Sequence, residues 1–120
     1  MSGYRSLNVY EKSYKAAIAV YEMTRRFPKE EQYAMTDQIR RAAMSIPLNI
    51  AEGYGKKRSQ QEFNRFLRMG AGSSNEVQVL LDFAKDLGYI ATEQYEKARE
   101  TYEEISRMLA GMMKRVESEI

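Results

Sequence analysis

The sequence predicts an all-α protein, an antiparallel up-down-up-down four-helix bundle whose second helix is kinked at a proline. Apolar residues recur at spacings of three and four along four long stretches, the period of a helix that is buried on one side. Only 7 glycines and 2 prolines interrupt the 120 residues, and short connections between the stretches favour antiparallel neighbours. With 43% hydrophobic residues, the chain is expected to form one domain over residues 1–120.

The first helix is predicted from about residue 7 to Arg26, where tyrosines and small residues repeat at helical spacing. Phe27 and Pro28 are expected to end it, because a proline disfavours helical geometry in the residue before it. A second helix is predicted from Pro28 to Tyr54, since proline suits a first helical turn and acidic residues follow it. These two helices form the first antiparallel pair.

The second helix carries a proline, Pro47, in its interior. Proline lacks a backbone N–H and costs about 3 kcal/mol at such a position. The apolar seam stays in phase on both sides of it, so we expect a kink and not a break, with Ser45 and Asn49 hydrogen-bonding backbone groups that the proline frees. The seam consists of Ile39, Ala43, Ile46, Ile50 and Gly53.

A capping box, Ser59 to Glu62, predicts the start of the third helix. Gly70 lies in the middle of that helix and costs about 1 kcal/mol relative to alanine. A close neighbour is expected to offset this cost. Pairing with the fourth helix places the large side chain of Leu109 opposite the glycine.

The fourth helix follows a predicted stop at Leu87-Gly88, where glycine suits the left-handed position after a helix. Thr92 is the predicted N-cap. The apolar spacing continues to Ile120, so the last helix is expected to run to the end of the sequence.

Antiparallel pairing of the second and third helices is expected to bring polar side chains together, because residues equally distant from the turn face each other. Such a cluster could be proposed as a metal or acid–base site, but di-iron bundles need histidine and the chain has none. The predicted role is a structural network in which Arg41 pairs with Glu76. The network comprises Gln38, Arg41, Asn49, Ser73 and Glu76.

Composition argues against several function classes. The chain has no histidine, the usual neutral-pH general base, and no cysteine for disulfides or thiolate metal sites. We therefore predict no enzymatic activity, catalytic residues, cofactor or metal. The first residues lack the apolar core of a signal peptide and no stretch is long and apolar enough to span a membrane, so a cytoplasmic protein is expected.

A basic cluster lies at the predicted turn between the second and third helices, although the formal net charge is only +2. Cations on a turn and on the helix that follows can meet a nucleic-acid backbone together. They can also be a solvated loop and helix cap, and both interpretations stay open. The candidate nucleic-acid-binding residues are Lys56, Lys57, Arg58, Arg65 and Arg68.

Tyrosines at positions 10, 14 and 21 fall on one face of the first helix. Such a face can stack bases. It is more typical of packing or of a subunit contact, because tyrosine combines a large apolar area with a polar tip.

Distinctive short motifs lie between residues 37 and 90. They are DQIRRA at 37–42, SIP at 45–47, NIAEG at 49–53, EF at 62–63 with FL at 66–67, GS at 72–73 with Glu76, and LGYI at 87–90. This pattern resembles the four-helix-bundle family of 23S ribosomal RNA intervening-sequence proteins, to which the accessory variability determinant proteins of diversity-generating retroelements are related. The likeness extends more loosely over the first helix and fades in the fourth.

The resemblance implies a helical bundle that assembles into a ring-like homopentamer and has no catalytic activity of its own. It also implies that retroelement relatives bind nucleic acid and a reverse transcriptase, whereas members of the intervening-sequence group have no settled role. The resulting hypothesis is a non-enzymatic interaction protein that binds RNA or DNA through a basic surface as a homopentamer. The alternative is an assembly or adaptor protein that binds a protein partner such as a reverse transcriptase, without nucleic-acid contact.

Overall fold

The structure, a computed structural model, describes residues 3–119 and contains four long helices in that range. Helix α1 is followed by α2, α3 and α4 in an up-down-up-down bundle in which α2 packs most extensively on α3 and α1 packs least on α4. No strand occurs between residues 3 and 119, so the predicted fold class is confirmed. The helices are α1 (Asn8–Thr24), α2 (Met35–Gly55), α3 (Gln60–Asp86) and α4 (Thr92–Glu117), with short 3-10 turns at Tyr4–Ser6 and Lys29–Glu31.

Two predicted helix starts were wrong. Helix α2 begins at Met35 and not at Pro28, because the intervening residues form a separate turn that Tyr89 anchors by donating a hydrogen bond to Glu31 (2.7 Å). Helix α4 begins at Thr92 itself, and the extended residue before it has no side-chain cap. The predicted final seam residue, Ile120, lies outside the described residues.

Helix α2 is continuous through Pro47, which is buried. Asn49 Nδ2 donates to the carbonyl of Ser45 (2.8 Å) and to Ser45 Oγ (2.9 Å), one turn earlier. The seam residues on either side, Ile46 and Ile50, are fully buried. Burial on both sides of the proline holds the helix together through this turn, as predicted from the uninterrupted seam.

Two glycines in the α2–α3–α4 packing differ in how closely their neighbours approach. Gly70 faces Leu109, as predicted, but a Cβ built on Gly70 would meet Leu109 Cδ1 at an ordinary 3.8 Å. A Cβ on Gly53 would lie 2.9 Å from Phe66 Cβ and 3.2 Å from the carbonyl oxygen of Phe63. The position that requires glycine for close helix packing is therefore Gly53.

Helix α3 begins with the serine half of the predicted capping box and ends with the predicted left-handed glycine. Ser59 Oγ accepts a hydrogen bond from the backbone N–H of Glu62 (3.2 Å). After the last turn, Gly88 adopts a φ of 79°, and the N–H of Tyr89 donates to the carbonyl of Ala84 (2.8 Å). This left-handed glycine turns the chain towards α4.

The core contains a buried tyrosine hydroxyl that makes no hydrogen bond within residues 3–119. Tyr102 is 1% exposed, and its hydroxyl has no hydrogen-bond partner among residues 3–119. Burial raises the pKa of this hydroxyl well above its ordinary value of 10.0. The folded state therefore disfavours the tyrosinate, whereas the unfolded chain accepts it near pH 10.

Replacing Tyr102 with phenylalanine is expected to leave stability at neutral pH unchanged or to raise it by up to ~1 kcal/mol, because no hydrogen bond is lost. In the wild-type protein the contribution of neutral Tyr102 to stability is fully present below pH 10 and is lost as the pH rises towards the folded-state pKa. Because phenylalanine does not ionise, Tyr102→Phe should unfold at higher pH than the wild type. Urea unfolding at increasing pH measures this, with the 89% exposed Tyr33→Phe as control. Unchanged alkaline unfolding in Tyr102→Phe would contradict the prediction.

Candidate nucleic-acid interface

Four helix ends meet at one end of the bundle and carry eight of the 19 basic side chains. The antiparallel order brings together the start of α1, the end of α2, the start of α3 and the end of α4, as the hydrogen bond from Asn64 Nδ2 to Glu117 Oε1 (3.3 Å) illustrates. We call residues 3–10, 52–68 and 111–119 the basic end. It contains eight basic residues, Arg5, Lys56, Lys57, Arg58, Arg65, Arg68, Lys114 and Arg115, against four acidic ones, Glu52, Glu62, Glu117 and Glu119.

The opposite end of the bundle has the reverse composition. We call residues 22–37 and 82–96 the acidic end, and they contain eight acidic residues against four basic ones. The small net charge of the chain therefore conceals a separation of charge along the bundle axis. A polyanion that approaches this molecule is attracted to one end and repelled by the other.

Three of the predicted cations, Lys56, Lys57 and Arg58, lie in the turn between α2 and α3 and are exposed. Lys57 Nζ donates a hydrogen bond to the hydroxyl of Tyr54 (2.9 Å) and lies 4.0 Å from the centroid of that ring. The turn thus carries an aromatic ring beside its cations.

The two predicted cations on α3 differ in their pairing. Arg65 donates from Nε and Nη2 to the two carboxylate oxygens of Glu62 (3.0 and 3.2 Å), and this hydrogen bonding lowers the pKa of the Glu62 carboxyl. Glu62 consequently does not complete the predicted capping box, since its carboxylate faces Arg65. Arg68 forms no ion pair within the described part of the chain and is more available to a phosphate.

Sequence reasoning missed three cations of the basic end: Arg5, Lys114 and Arg115. Each is distant in sequence from the turn at residues 56–58. The signal that could have found them is the predicted topology itself, because an up-down-up-down bundle places its first and last residues beside the second turn.

The predicted polar network divides into two hydrogen-bonded groups between α2 and α3. Gln38 Nε2 donates to Glu76 Oε2 (3.2 Å), and Ser45 Oγ lies 2.8 Å from Ser73 Oγ. Asn49 joins the second group through Ser45. The Gln38–Glu76 contact is at the surface and contributes little to stability.

The pairing of Arg41 with Glu76 was wrong. Arg41 Nε instead donates to Asp37 Oδ2 (3.0 Å), one turn earlier on the same helix, and the arginine side chain is 77% exposed. The outer face of α2 points to solvent here, so an i,i+4 partner on that face is nearer than the neighbouring helix.

A third polar group, between α3 and α4, was not predicted. Ser74 Oγ lies 2.7 Å from Ser106 Oγ, and Gln78 Nε2 donates to the same Ser106 Oγ (3.1 Å). Ser74 is fully buried. Serine at these positions lets α3 and α4 approach closely while their hydroxyl groups remain hydrogen-bonded.

The chain matches the family described as "23S rRNA-intervening sequence protein" over residues 5–111. This chain belongs to that family. The resemblance inferred from the motifs is thereby confirmed, and it includes the first helix and most of the fourth.

A solved structure supports the same placement of this intervening-sequence family member. It is that of a protein of unknown function from the S23 ribosomal protein family of Bacteroides thetaiotaomicron, with a TM-score of 0.80 and 28% sequence identity. The similarity covers 88% of this chain and 95% of the other. No curated protein matches the chain significantly.

In this family member, residues 3–119 contain no group of three or more histidine, cysteine, aspartate or glutamate side chains arranged to hold a metal ion. Within the same residues no helix is both long enough and apolar enough to cross a membrane.

Large apolar side chains are exposed on two separate faces. One is a groove of about 350 Å³ between α1 and α2, which includes Tyr14, Ile18, Met44 and Leu48. We call this the α1/α2 groove. The other is a row formed by Val79 and Phe83 on α3 and by Leu87 directly after it, each more than half exposed, which we call the α3 row. Contiguous exposed apolar surface of this kind is typical of interaction sites.

Proposed function

We propose that the protein is a cytoplasmic, non-enzymatic interaction module that binds RNA or DNA through its basic end. The observation that carries this proposal is the segregation of charge: eight basic residues against four acidic ones at one end, and the reverse at the other. Phosphate backbones are bound mainly through such clustered cations, independently of sequence. Lys56, Arg58 and Arg68 are exposed and are the residues best placed for this role.

A salt titration tests the proposal. Binding of a fluorescently labelled RNA and of a DNA duplex is measured by anisotropy between about 50 and 200 mM salt, the range over which several phosphate contacts lose a large part of their affinity. A steep linear fall of log affinity with log salt is expected. Absence of binding at the lowest salt would overturn the proposal.

We further propose that the functional unit is a homopentamer. The α1/α2 groove and the α3 row are different surfaces, so contact of one with the other between copies is heterologous, and such contacts close into rings when the rotation permits. The family resemblance supplies the number of copies. A ring would also place five basic ends around one axis, and this multivalency would strengthen weak individual phosphate contacts.

Light scattering at micromolar concentration is expected to give five times the 14.0 kDa mass of the chain. The double variant Ile18→Ser with Leu48→Ser should reduce the mass, because both side chains are more than half exposed and lie in the α1/α2 groove. Lys15→Ser on the same helix is the control, since its exposed amine already pairs with Glu11. If light scattering of the wild-type protein gave the mass of a single chain, the pentamer would be contradicted.

A protein partner, such as a reverse transcriptase, is the second candidate function. The α3 row favours it, because its three large apolar side chains, two of them at the acidic end, are exposed within residues 3–119. This adaptor function needs no nucleic-acid contact. The two candidates separate in the salt titration, where a pure adaptor does not bind at any salt concentration.

A further inference from the structure

The basic end contains a cavity of about 290 Å³ that the phosphate-binding role does not use. The turn after α2, the first turn of α3 and the last turns of α4 surround it. Its lining includes the buried Val116 and the half-buried Leu7 and Met112, which are apolar. Two aromatic rings, two cations and one amide also line it: Tyr54, Phe63, Lys57, Arg115 and Gln60.

The two aromatic rings of the cavity are in contact with each other. The rings of Tyr54 and Phe63 lie 6.4 Å apart at 86° to each other, so one presents its edge to the face of the other. Lys57 Nζ lies 4.0 Å from the centroid of the Tyr54 ring, so a base stacks on that ring only when this flexible, exposed side chain moves aside towards a flanking phosphate. Small-molecule pockets begin at roughly 300 Å³, which leaves room for one ring system and not for a larger cofactor.

The polar groups of the cavity fit a nucleobase attached to a phosphate. The side chain of Gln60 supplies both an amide donor and a carbonyl acceptor, the groups that pair with base edges. Lys57 and Arg115 are exposed cations that line the same cavity, and neither forms an ion pair within residues 3–119. Glu119 also lines it and is the one acidic residue among the lining side chains.

We infer that this cavity holds one unpaired base of a single-stranded nucleic acid, whose flanking phosphates contact Lys57 and Arg115. This inference rests on the proposed function and specifies the form of its ligand. A base inside a duplex is stacked on both faces and does not reach such a cavity, whereas a single strand offers its bases freely. We therefore expect the protein to bind single strands with higher affinity than duplex.

The test compares an oligothymidylate of about 12 nucleotides, within the range that single-strand binding modules occupy, with a duplex of the same length. The wild-type protein is expected to bind the single strand about tenfold more tightly. Tyr54→Leu removes one stacking face while keeping an apolar side chain, and it should abolish that preference, so that the variant binds single strand and duplex with equal affinity. Tyr33→Leu, at the acidic end, is the matched control and should change neither affinity.

A measurement on the wild-type protein avoids dependence on the folding of the variant. Met112 lines the cavity, so a stacked base should shift the NMR resonance of its methyl group, whereas the methyl resonance of Met44 in the α1/α2 groove should not move. Equal affinity for single strand and duplex, or an unmoved Met112 resonance in the oligothymidylate complex, would overturn the base site and leave the phosphate-binding function intact. Failure to bind either nucleic acid at low salt would overturn both.

Discussion

Replacing Gly53 with alanine is expected to lower the free energy of unfolding by about 2 kcal/mol, within the range for overpacked sites. The new methyl group would lie 2.9 Å from Phe66 Cβ and 3.2 Å from the Phe63 carbonyl oxygen. Neither atom is the free end of a flexible side chain, so α2 and α3 must move apart. This overlap outweighs the ~1 kcal/mol that alanine gains over glycine from helix propensity.

Gly72→Ala is the matched control for this prediction. Gly72 lies in the middle of α3, is exposed, and has no atom within 4 Å of a Cβ built on it. The variant should therefore be more stable than wild type by up to ~1 kcal/mol. Urea unfolding followed by circular dichroism measures both changes, provided the m-values agree. An increase in stability for Gly53→Ala as well would show that the α2–α3 contact is looser than the structure indicates.

Reversing the charge of Lys56, Arg58 and Arg68 to glutamate is expected to weaken duplex binding roughly 100-fold at low salt and to reduce the salt slope by about 3, since each phosphate contact contributes ~0.9. All three residues are exposed at the basic end. Folding should be unaffected because no ion pair within the described residues is lost. Anisotropy titrations at several salt concentrations provide the measurement.

The control for charge reversal is the triple variant Arg25→Glu, Arg26→Glu and Lys29→Glu. It changes the net charge equally but lies entirely at the acidic end. Local phosphate contact predicts a small loss for this variant, since exposed charges farther away than the ~10 Å Debye length are largely screened at 0.1 M salt. If the two triple variants weaken binding equally, net charge governs the interaction and the basic end is not the binding site.

The fold was largely predictable because its signals are local. Helical spacing identified all four helices, the hydroxyl of Ser59 marked the start of α3, and Gly88 marked the turn before α4. The errors arose where a local signal competed with an alternative of similar energy. Pro28 begins a short turn and not α2 itself. Arg41 pairs with Asp37 on its own helix and not with Glu76 on α3.

The candidate interface was only partly predictable. The cluster at residues 56–58 is contiguous and visible in the sequence, whereas Arg5 and Arg115 join it through the antiparallel topology. The cavity beside them was not predicted, because its lining comes from several elements that are distant in sequence. Family membership followed from short motifs in α2 and α3 and was confirmed over residues 5–111.

By itself the sequence determined the number of helices, the buried faces of α2, α3 and α4, and the absence of histidine and cysteine chemistry, since these depend on residue types and on periods within one helix. The tyrosine face of α1 was the exception, because Tyr14 and Tyr21 are exposed. Only the tertiary structure decided that Gly53, and not Gly70, is the close contact, and that charge separates along the bundle axis. The physical reason is that packing distances and electrostatic fields depend on the summed positions of residues from several helices, and a one-dimensional pattern does not contain those positions.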